Sequence, residues 1–387
     1  MAAKVFVLIS SSYPNAADGT EAAGSFVADL VEVLSRHVCM RVVAPGNCNE
    51  VQQINANLQV YRFTAPSKPL STLRPYAPND IWQIFKVLIA GGAATRLAVD
   101  AGNVSHIFAL WALPCGYWAR KVSRLTGVPY SIWTLGSDIW SLGKIPIVRQ
   151  VLARILRDAT RCYSDGYRLR DDTQRIAGRE VRFLPSTRNI ELAYKKVLST
   201  APPYRLVFIG RWHLNKGPDL LVRALSLLDE GTWRKIASVE IYGGGPLQPV
   251  LVAEIARLAL HNRPVILGGF LDKLAARDTL HTCDYLLIPS RIESIPVVFS
   301  DAMKLGCPVI ANPVGDLSTL VGDGLVGVVA SAVSAEAFAE AIRVAVNSPP
   351  AKYEKALVAM ASRFSIENFL VPKLIGELDL ERIGNHG

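Results

Sequence analysis

The chain has 387 residues, half of them hydrophobic and 19% charged. That composition excludes global disorder, collagen-like repeats and low-complexity chains, and at roughly 100–200 residues per domain the length favours two domains. The formal net charge is +9 and uneven: residues 1–200 carry 24 Lys and Arg against 14 Asp and Glu, whereas residues 201–387 carry 18 against 19.

No apolar run approaches the roughly 18 residues that cross a bilayer. The longest, Val87–Ala94 and Leu325–Val333, are far shorter. The opening Lys4-Val5-Phe6-Val7-Leu8-Ile9-Ser10 is too short for a signal-peptide core of roughly 7–15 residues and reads as a first strand. Six scattered cysteines without a CxxC pair point to reduced thiols and a cytoplasmic location. The histidines form no zinc-like spacing, so no metal site is expected.

Apolar β-rich runs alternate with helix-period segments along the chain. Strands are predicted at Val5–Ser10, Met40–Ala44, Ser105–Leu110, Tyr130–Leu135 and Arg161–Ser164, then at Leu206–Gly210, Ser238–Tyr242, Val265–Gly268, Tyr285–Pro289 and Val309–Ala311. Helices are predicted at Ser25–Arg36, Tyr117–Leu125, Pro218–Leu228, Pro246–Leu260 and Pro296–Leu305. Near-continuous apolar strands separated by helices indicate parallel sheets covered on both faces. The pattern runs twice, with an expected linker at Ser199-Thr200-Ala201-Pro202-Pro203. Two doubly wound α/β domains should face each other and bind ligands in the cleft at the carboxyl ends of their strands.

The basic excess concentrates between Lys144 and Lys196. There Lys144, Arg149, Arg154, Arg157 and Arg161 interleave with Ile145, Ile147, Val148, Val151, Leu152, Ile155 and Leu156, the spacing of an amphipathic helix with a basic face. Such a helix either packs on its own domain or also lies on an anionic membrane surface. Nucleic acid is not an expected partner, because zinc fingers, RNP motifs and regular aromatic–basic interleaving are all missing.

Three motifs carry chemistry. After the strand ending at Ile209 comes Gly210-Arg211-Trp212-His213-Leu214-Asn215-Lys216-Gly217. A guanidinium and an ammonium on one such loop can grip a diphosphate, and Gly217-Pro218 opens a helix whose start also favours anions. Next comes Tyr242-Gly243-Gly244-Gly245-Pro246, a turn that lets backbone approach a ligand but is neither a Walker A loop nor a dinucleotide fingerprint. The third, Ser290-Arg291-Ile292-Glu293-Ser294-Ile295-Pro296-Val297, leads to Asp301 inside the following helix and ends at Pro308-Val309-Ile310-Ala311. Two carboxylates near one strand end can accept hydrogen bonds from separate pairs of sugar hydroxyls.

In order and spacing these motifs resemble glycosyltransferase family 4, retaining enzymes of the GT-B fold. The likeness spans roughly residues 204–330, and Phe364-Ser365-Ile366-Glu367 resembles the family's C-terminal segment. It implies that Arg211 and Lys216 bind the donor diphosphate, that Glu293 contacts the transferred sugar, and that Asp301 binds the nucleotide ribose. Backbone at Ser294, Ile295, Pro296 and Val297 would approach the sugar and phosphates, together with Gly210, Gly243, Gly244 and Gly245. The turn Gly268-Gly269-Phe270-Leu271 resembles the segment that holds the base. In the first half, Tyr13-Pro14, Gly19 and Gly24-Ser25-Phe26 resemble a phosphate-side loop. Ala109-Leu110-Trp111 and Thr134-Leu135-Gly136-Ser137-Asp138 resemble segments in which the family carries histidines; here Leu110 and Leu135 stand in their places. Asp138 remains as the candidate catalytic polar group there, with Gly136 beside it; an N-cap role is its alternative.

The resemblance implies domains at 1–200 (acceptor side) and 204–365 (donor side), with residues 366–387 forming a helix that crosses back to the first. It implies a retaining transferase that moves a sugar from a nucleoside-diphosphate sugar to a carbohydrate or lipid-linked acceptor in polysaccharide or glycolipid synthesis, without metal or cofactor. Its expected place is the cytoplasm, with peripheral contact on the inner face of the membrane. Two alternatives remain open: a non-catalytic nucleotide-sugar-binding protein and a sugar-nucleotide epimerase of the same fold.

Overall fold

The computed structural model describes residues 4–15, 21–66, 77–190 and 196–383. The chain divides into two compact units, Met1–Arg188 with Ile366–Gly387, and Asn189–Ser365. Gly19 lies outside the described residues.

The N-terminal unit is built on strands β1 (Val5–Ile9), β2 (Cys39–Gly46), β3 (Glu50–Asn55), β4 (Leu58–Thr64), β5 (Val104–Leu110), β6 (Tyr130–Thr134), β7 (Arg161–Ser164) and β8 (Arg182–Phe183). They form one sheet in the order β3-β4-β2-β1-β5-β6-β7-β8. Every pair is parallel except β3–β4. The five strands legible in the sequence are β1, β2, β5, β6 and β7, whose apolar residues are buried between two helical layers. β3 escapes that reading because it is an edge strand, exposed nearly throughout, so Glu50, Gln52 and Gln53 carry no apolar signal.

One face of this sheet buries Val7, Ile9, Ile107 and Ile132 under the helices Pro78–Asp100, Tyr117–Thr126, Pro146–Asp158 and Tyr167–Ala177. Trp118 locks the first two helices together: its indole N–H donates to the Leu88 carbonyl at 2.9 Å. The other face buries Phe6, Leu8, Phe108 and Trp133 under helix Glu21–Leu34 and the C-terminal turns Ile366–Leu370 and Val371–Glu377. The last of these is anchored by polar contacts as well. The Tyr163 hydroxyl donates to Glu377 at 2.8 Å and Lys373 donates to the Phe183 carbonyl at 2.9 Å. Burying Leu370 and Leu374 fully contributes about 1.5–3 kcal/mol each, which ties the chain's last segment to its first unit.

The basic helix is shorter than its sequence pattern suggests. Pro146 starts it and Asp158 ends it, so Lys144 precedes it and Arg161 opens β7. Leu152, Ile155 and Leu156 face the core, and Arg149, Arg154 and Arg157 are exposed.

The C-terminal unit holds β9 (Tyr204–Ile209), β10 (Ile236–Tyr242), β11 (Val265–Leu267), β12 (Tyr285–Ile288), β13 (Val309–Ala311) and β14 (Gly327–Val329). All are parallel, in the order β11-β10-β9-β12-β13-β14. The order reverses between β9 and β12, the point where open parallel sheets bind ligands. The linker expected at 199–203 belongs to this unit, whose boundary falls after Arg188. Lys196 donates to the Leu280 and Cys283 carbonyls, and the Ser199 carbonyl accepts from the Ala351 amide at 3.3 Å, so the segment is packed.

Candidate functional site

The β9 loop brings its cations to the reversal point. Beyond Ile209 and Gly210, Leu214–Lys216 form a single tight turn closed by Gly217, and Pro218 opens the helix Pro218–Ser226. Across from it, the loop after β12 carries Glu293. The Lys216 ammonium and the Glu293 Oε1 form an ion pair, and the Ser290 hydroxyl donates to the same oxygen at 3.1 Å. The Glu293 side chain is only 11% exposed and that of Lys216 28%, so the pair is shielded enough to hold its geometry. Arg211 lies on the same loop, exposed, with no ion pair among the described residues.

A contact the sequence reading missed fixes these two loops to each other. Arg291 grips Asp219 with both guanidinium nitrogens, at 2.8 and 2.7 Å, and also donates to the Leu214 carbonyl at 2.7 Å. Its backbone amide donates to the Asn215 carbonyl at 2.8 Å. Burial opposes ionisation of Asp219, yet the Arg291 hydrogen bonds and charge outweigh it and hold the carboxyl below its ordinary pKa. Asp219 and Arg291 stand 72 residues apart, so only their residue types were visible beforehand.

The β13 loop supports the same loop from the other side. The buried Asn312 amide donates to the Pro289 and Ser290 carbonyls at 2.9 and 3.2 Å. At Gly315, φ is +54° and a Cβ would sit 2.2 Å from the Glu293 carbonyl oxygen, so only glycine fits.

The glycine turn after β10 packs on the β9 loop. The Trp212 amide donates to the Gly244 carbonyl at 2.8 Å, the Gly210 amide to Tyr242 at 3.2 Å, and the Gly243 amide to Gly269 at 3.0 Å. Gly243 has φ +141°, and a Cβ there would lie 1.9 Å from the Gly210 carbonyl oxygen. A Cβ at Gly245 would fall 2.7 Å from the Trp212 carbonyl oxygen. The predicted donor-side loops are therefore hydrogen-bonded together at one sheet edge. Phe270 is 65% exposed beside them and Leu271 is half-buried.

Ser294, Ile295 and Pro296 are buried and Val297, half-buried, starts the helix Val297–Lys304. Asp301, in the middle of that helix, is 1% exposed, unlike the more accessible Glu293.

In the N-terminal unit Asp138 is buried rather than presented. Its carboxylate accepts from the Ala112 amide at 2.8 Å, from Ile139 at 3.1 Å and from Leu135 at 3.4 Å, tying the β5 loop to the β6 loop. Burial pushes its pKa up to about 6 against the pull of these amides. It does not cap the short helix Ser137–Trp140 in the usual way, since that helix has Gly136, at φ +102°, as its preceding residue. Gly24 sits in helix Glu21–Leu34, where a Cβ would overlap the Ser12 carbonyl oxygen. Leu110 is fully buried and Leu135 is half-buried. Among the described residues no cluster of His, Cys, Asp or Glu is placed to hold a metal ion.

Comparison with known proteins adds to this geometry. Residues 203–348 match the family described as Glycosyl transferases group 1. The chain is 34% identical over 127 residues to a D-inositol 3-phosphate glycosyltransferase of Xylanimonas cellulosilytica, covering 32% of this chain and 29% of that one. It is 26% identical over 251 residues to the putative teichuronic acid biosynthesis glycosyltransferase TuaC of Bacillus subtilis, covering 61% and 60%. The chain thus spans less than two thirds of either relative's length. In structure it resembles Anabaena Alr3699/HepE, solved in complex with UDP, with a TM-score of 0.66 at 18% identity over 97% and 98% of the two chains. The loops after β9, β10 and β12 thus fall in a segment that matches the group 1 glycosyl transferases, and the two α/β units share the fold of GT-B structures.

Proposed function

We propose that this chain is a retaining glycosyltransferase of family 4 that moves a sugar from a nucleoside diphosphate to a carbohydrate or lipid-linked acceptor. The observation that carries the reading is the Lys216–Glu293 pair at the sheet's reversal point, inside the segment matched to group 1 glycosyl transferases. Arg211 and Lys216 neutralise the departing diphosphate, and Glu293 accepts from the hydroxyls of the transferred sugar. The glycine turn and Phe270 line the nucleotide side, with Asp301 towards the ribose. Two cations at the leaving group make a metal unnecessary. Asp138 acts as a positioning residue, since its oxygens are committed to amides. The neighbour solved with UDP supports a nucleotide-sugar donor, and the teichuronic acid relative supports a role in polysaccharide or glycolipid synthesis. The basic first half supports peripheral contact with a membrane on its cytoplasmic side.

The test is calorimetric binding of UDP, GDP and ADP in EDTA, followed by turnover of the sugar nucleotide whose base binds. Lys216→Ala should lower turnover roughly 100–1000-fold with the fold intact. Near-wild-type turnover in that variant would remove Lys216 from the mechanism. The leucines at positions 110 and 135 favour one competing reading, a nucleotide-sugar-binding protein without transfer. Such a protein binds nucleotide and releases none from the sugar nucleotide.

A further inference from the structure

We propose that a cavity in the N-terminal unit, between the short helix Ser137–Trp140, the start of Pro146–Asp158 and the second half of Tyr167–Ala177, binds a free anionic sugar, one that carries a phosphate or carboxylate group. The cavity measures about 400 Å³. That lies within the roughly 300–1,000 Å³ of sites for small organic ligands and exceeds what a lone phosphate fills. None of its lining residues belongs to the loops after β9, β10 and β12.

Side chains from all three elements give the cavity its chemistry. The Trp140 indole N–H donates to Asp172 at 2.7 Å, and Arg175 pairs with the other oxygen of the same carboxylate. Trp140 is half-buried and the Asp172 side chain is 21% exposed, so this part of the wall is set before a ligand arrives. The lining also carries Lys144 and Arg149, both exposed and neither in an ion pair among the described residues. It thus holds three cations against one carboxylate. Cations that no protein acid neutralises favour an anionic group, and the planar fork of Arg149 matches a phosphate or carboxylate in two-point contact.

The lining selects more than charge. The rings of Trp140 and Pro146 offer apolar surface to the C–H face of a sugar. Asp172 keeps lone pairs beyond those taken by Trp140 and Arg175, and these accept from hydroxyls. A bare anion would meet that carboxylate as a like charge, whereas a sugar ring meets it with hydrogen-bond donors. The site is concave, so its occupant is a molecule that enters it rather than a surface laid across it. The indole also borders Gly136, where a Cβ would sit 3.6 Å from the ring, so the cavity adjoins the segment that Asp138 ties down.

The experiment is calorimetric titration of the full chain with glucose 6-phosphate, glucuronate, glucose and inorganic phosphate. An anionic sugar should bind at least about tenfold more tightly than glucose or phosphate alone, and salt should weaken it. Which of the two sugars binds tells a phosphate site from a carboxylate site. Lys144→Ala/Arg149→Ala should lower that affinity at least about tenfold. So should Arg175→Gln, which lies on another helix and keeps the proposal testable if the first variant fails to fold. Both are checked against the wild-type thermal melt and should keep the wild-type affinity for UDP. Failure of both anionic sugars to bind overturns the proposal, as does unchanged binding in folded variants. Phosphate binding as tightly as glucose 6-phosphate overturns it in favour of a simple ion site, and displacement of the sugar by UDP overturns it in favour of the β9 and β12 loops. No sugar transfer is read out, so the outcome stands apart from that of the transferase reading.

Discussion

Replacing Arg291 by alanine tests whether the two loops that carry Lys216 and Glu293 are held as a unit. The substitution removes two hydrogen bonds to the Asp219 carboxylate and one to the Leu214 carbonyl. It leaves a carboxylate whose side chain is 7% exposed without its cation. Breaking a fully buried pair in this way costs about 3–5 kcal/mol. Arg291 is itself 32% exposed, so water compensates part of the loss and about 2–3 kcal/mol is expected. For a unit of this size that lowers the melting temperature by roughly 4–12 °C. Because Asp219 has a depressed pKa, the pair's contribution is present above the ordinary carboxylate value and is lost as pH falls through the folded one. The difference between wild type and Arg291→Ala should therefore shrink in acid. Calorimetric melts from neutral pH into the acid range measure it, and nucleotide titration should show weaker binding as the Lys216 and Glu293 loops separate. Removing the stranded acid as well, in Asp219→Ala/Arg291→Ala, should recover part of the stability. Equal melting of wild type and Arg291→Ala at neutral pH would refute the reasoning.

Gly243→Ala should abolish most nucleotide binding by calorimetry, since its Cβ would fall 1.9 Å from the Gly210 carbonyl oxygen at φ +141° and force the β9 and β10 loops apart. Wild-type affinity in that variant would mean the loops tolerate the shift. Leu374→Ala should cost about 2–5 kcal/mol in urea unfolding, because the residue is fully buried against the N-terminal sheet. Two buried groups in that unit should oppose each other in pH. Asp138 titrates at about 6 when folded against 3.8 as a free group, so its contribution falls as pH rises through that window. Burial lowers the pKa of His106 to about 4 from 6.5, so its contribution falls as pH drops. Each gap corresponds to about 3 kcal/mol. Asp138→Asn should leave stability rising more steeply with pH between about 4 and 6, and His106→Gln should leave it falling. Identical pH slopes in all three proteins would contradict both assignments.

Local chemistry made much of this protein legible in its sequence. The central strands are unbroken apolar runs because both faces of a parallel sheet are buried, and glycine or proline punctuates them where the chain must turn. The loops after β9, β10 and β12 announce themselves because cations, glycines and a carboxylate are concentrated at strand ends. Contacts between distant residues were invisible. Lys216 meets Glu293 across 77 positions, and Arg291 meets Asp219 across 72. Nothing in Asn312 or Gly315 as residue types shows that they brace the Glu293 loop. Burial was equally undetermined by pattern. Asp138 looked like a group at a ligand edge, yet the fold encloses it among backbone amides. The apolar residues of Pro78–Asp100 look alike in sequence, but packing against Trp118 covers one side and leaves Trp82 and Phe85 outside. Periodicity and propensity are properties of neighbours along the chain, so the sequence alone determined the central strands and their order, but not the strands β3, β4, β8 and β14 or the helices Pro78–Asp100 and Tyr167–Ala177. Which side chains meet, and which surface stays in water, depends on how the sheets stack those elements, and only the tertiary structure decided it.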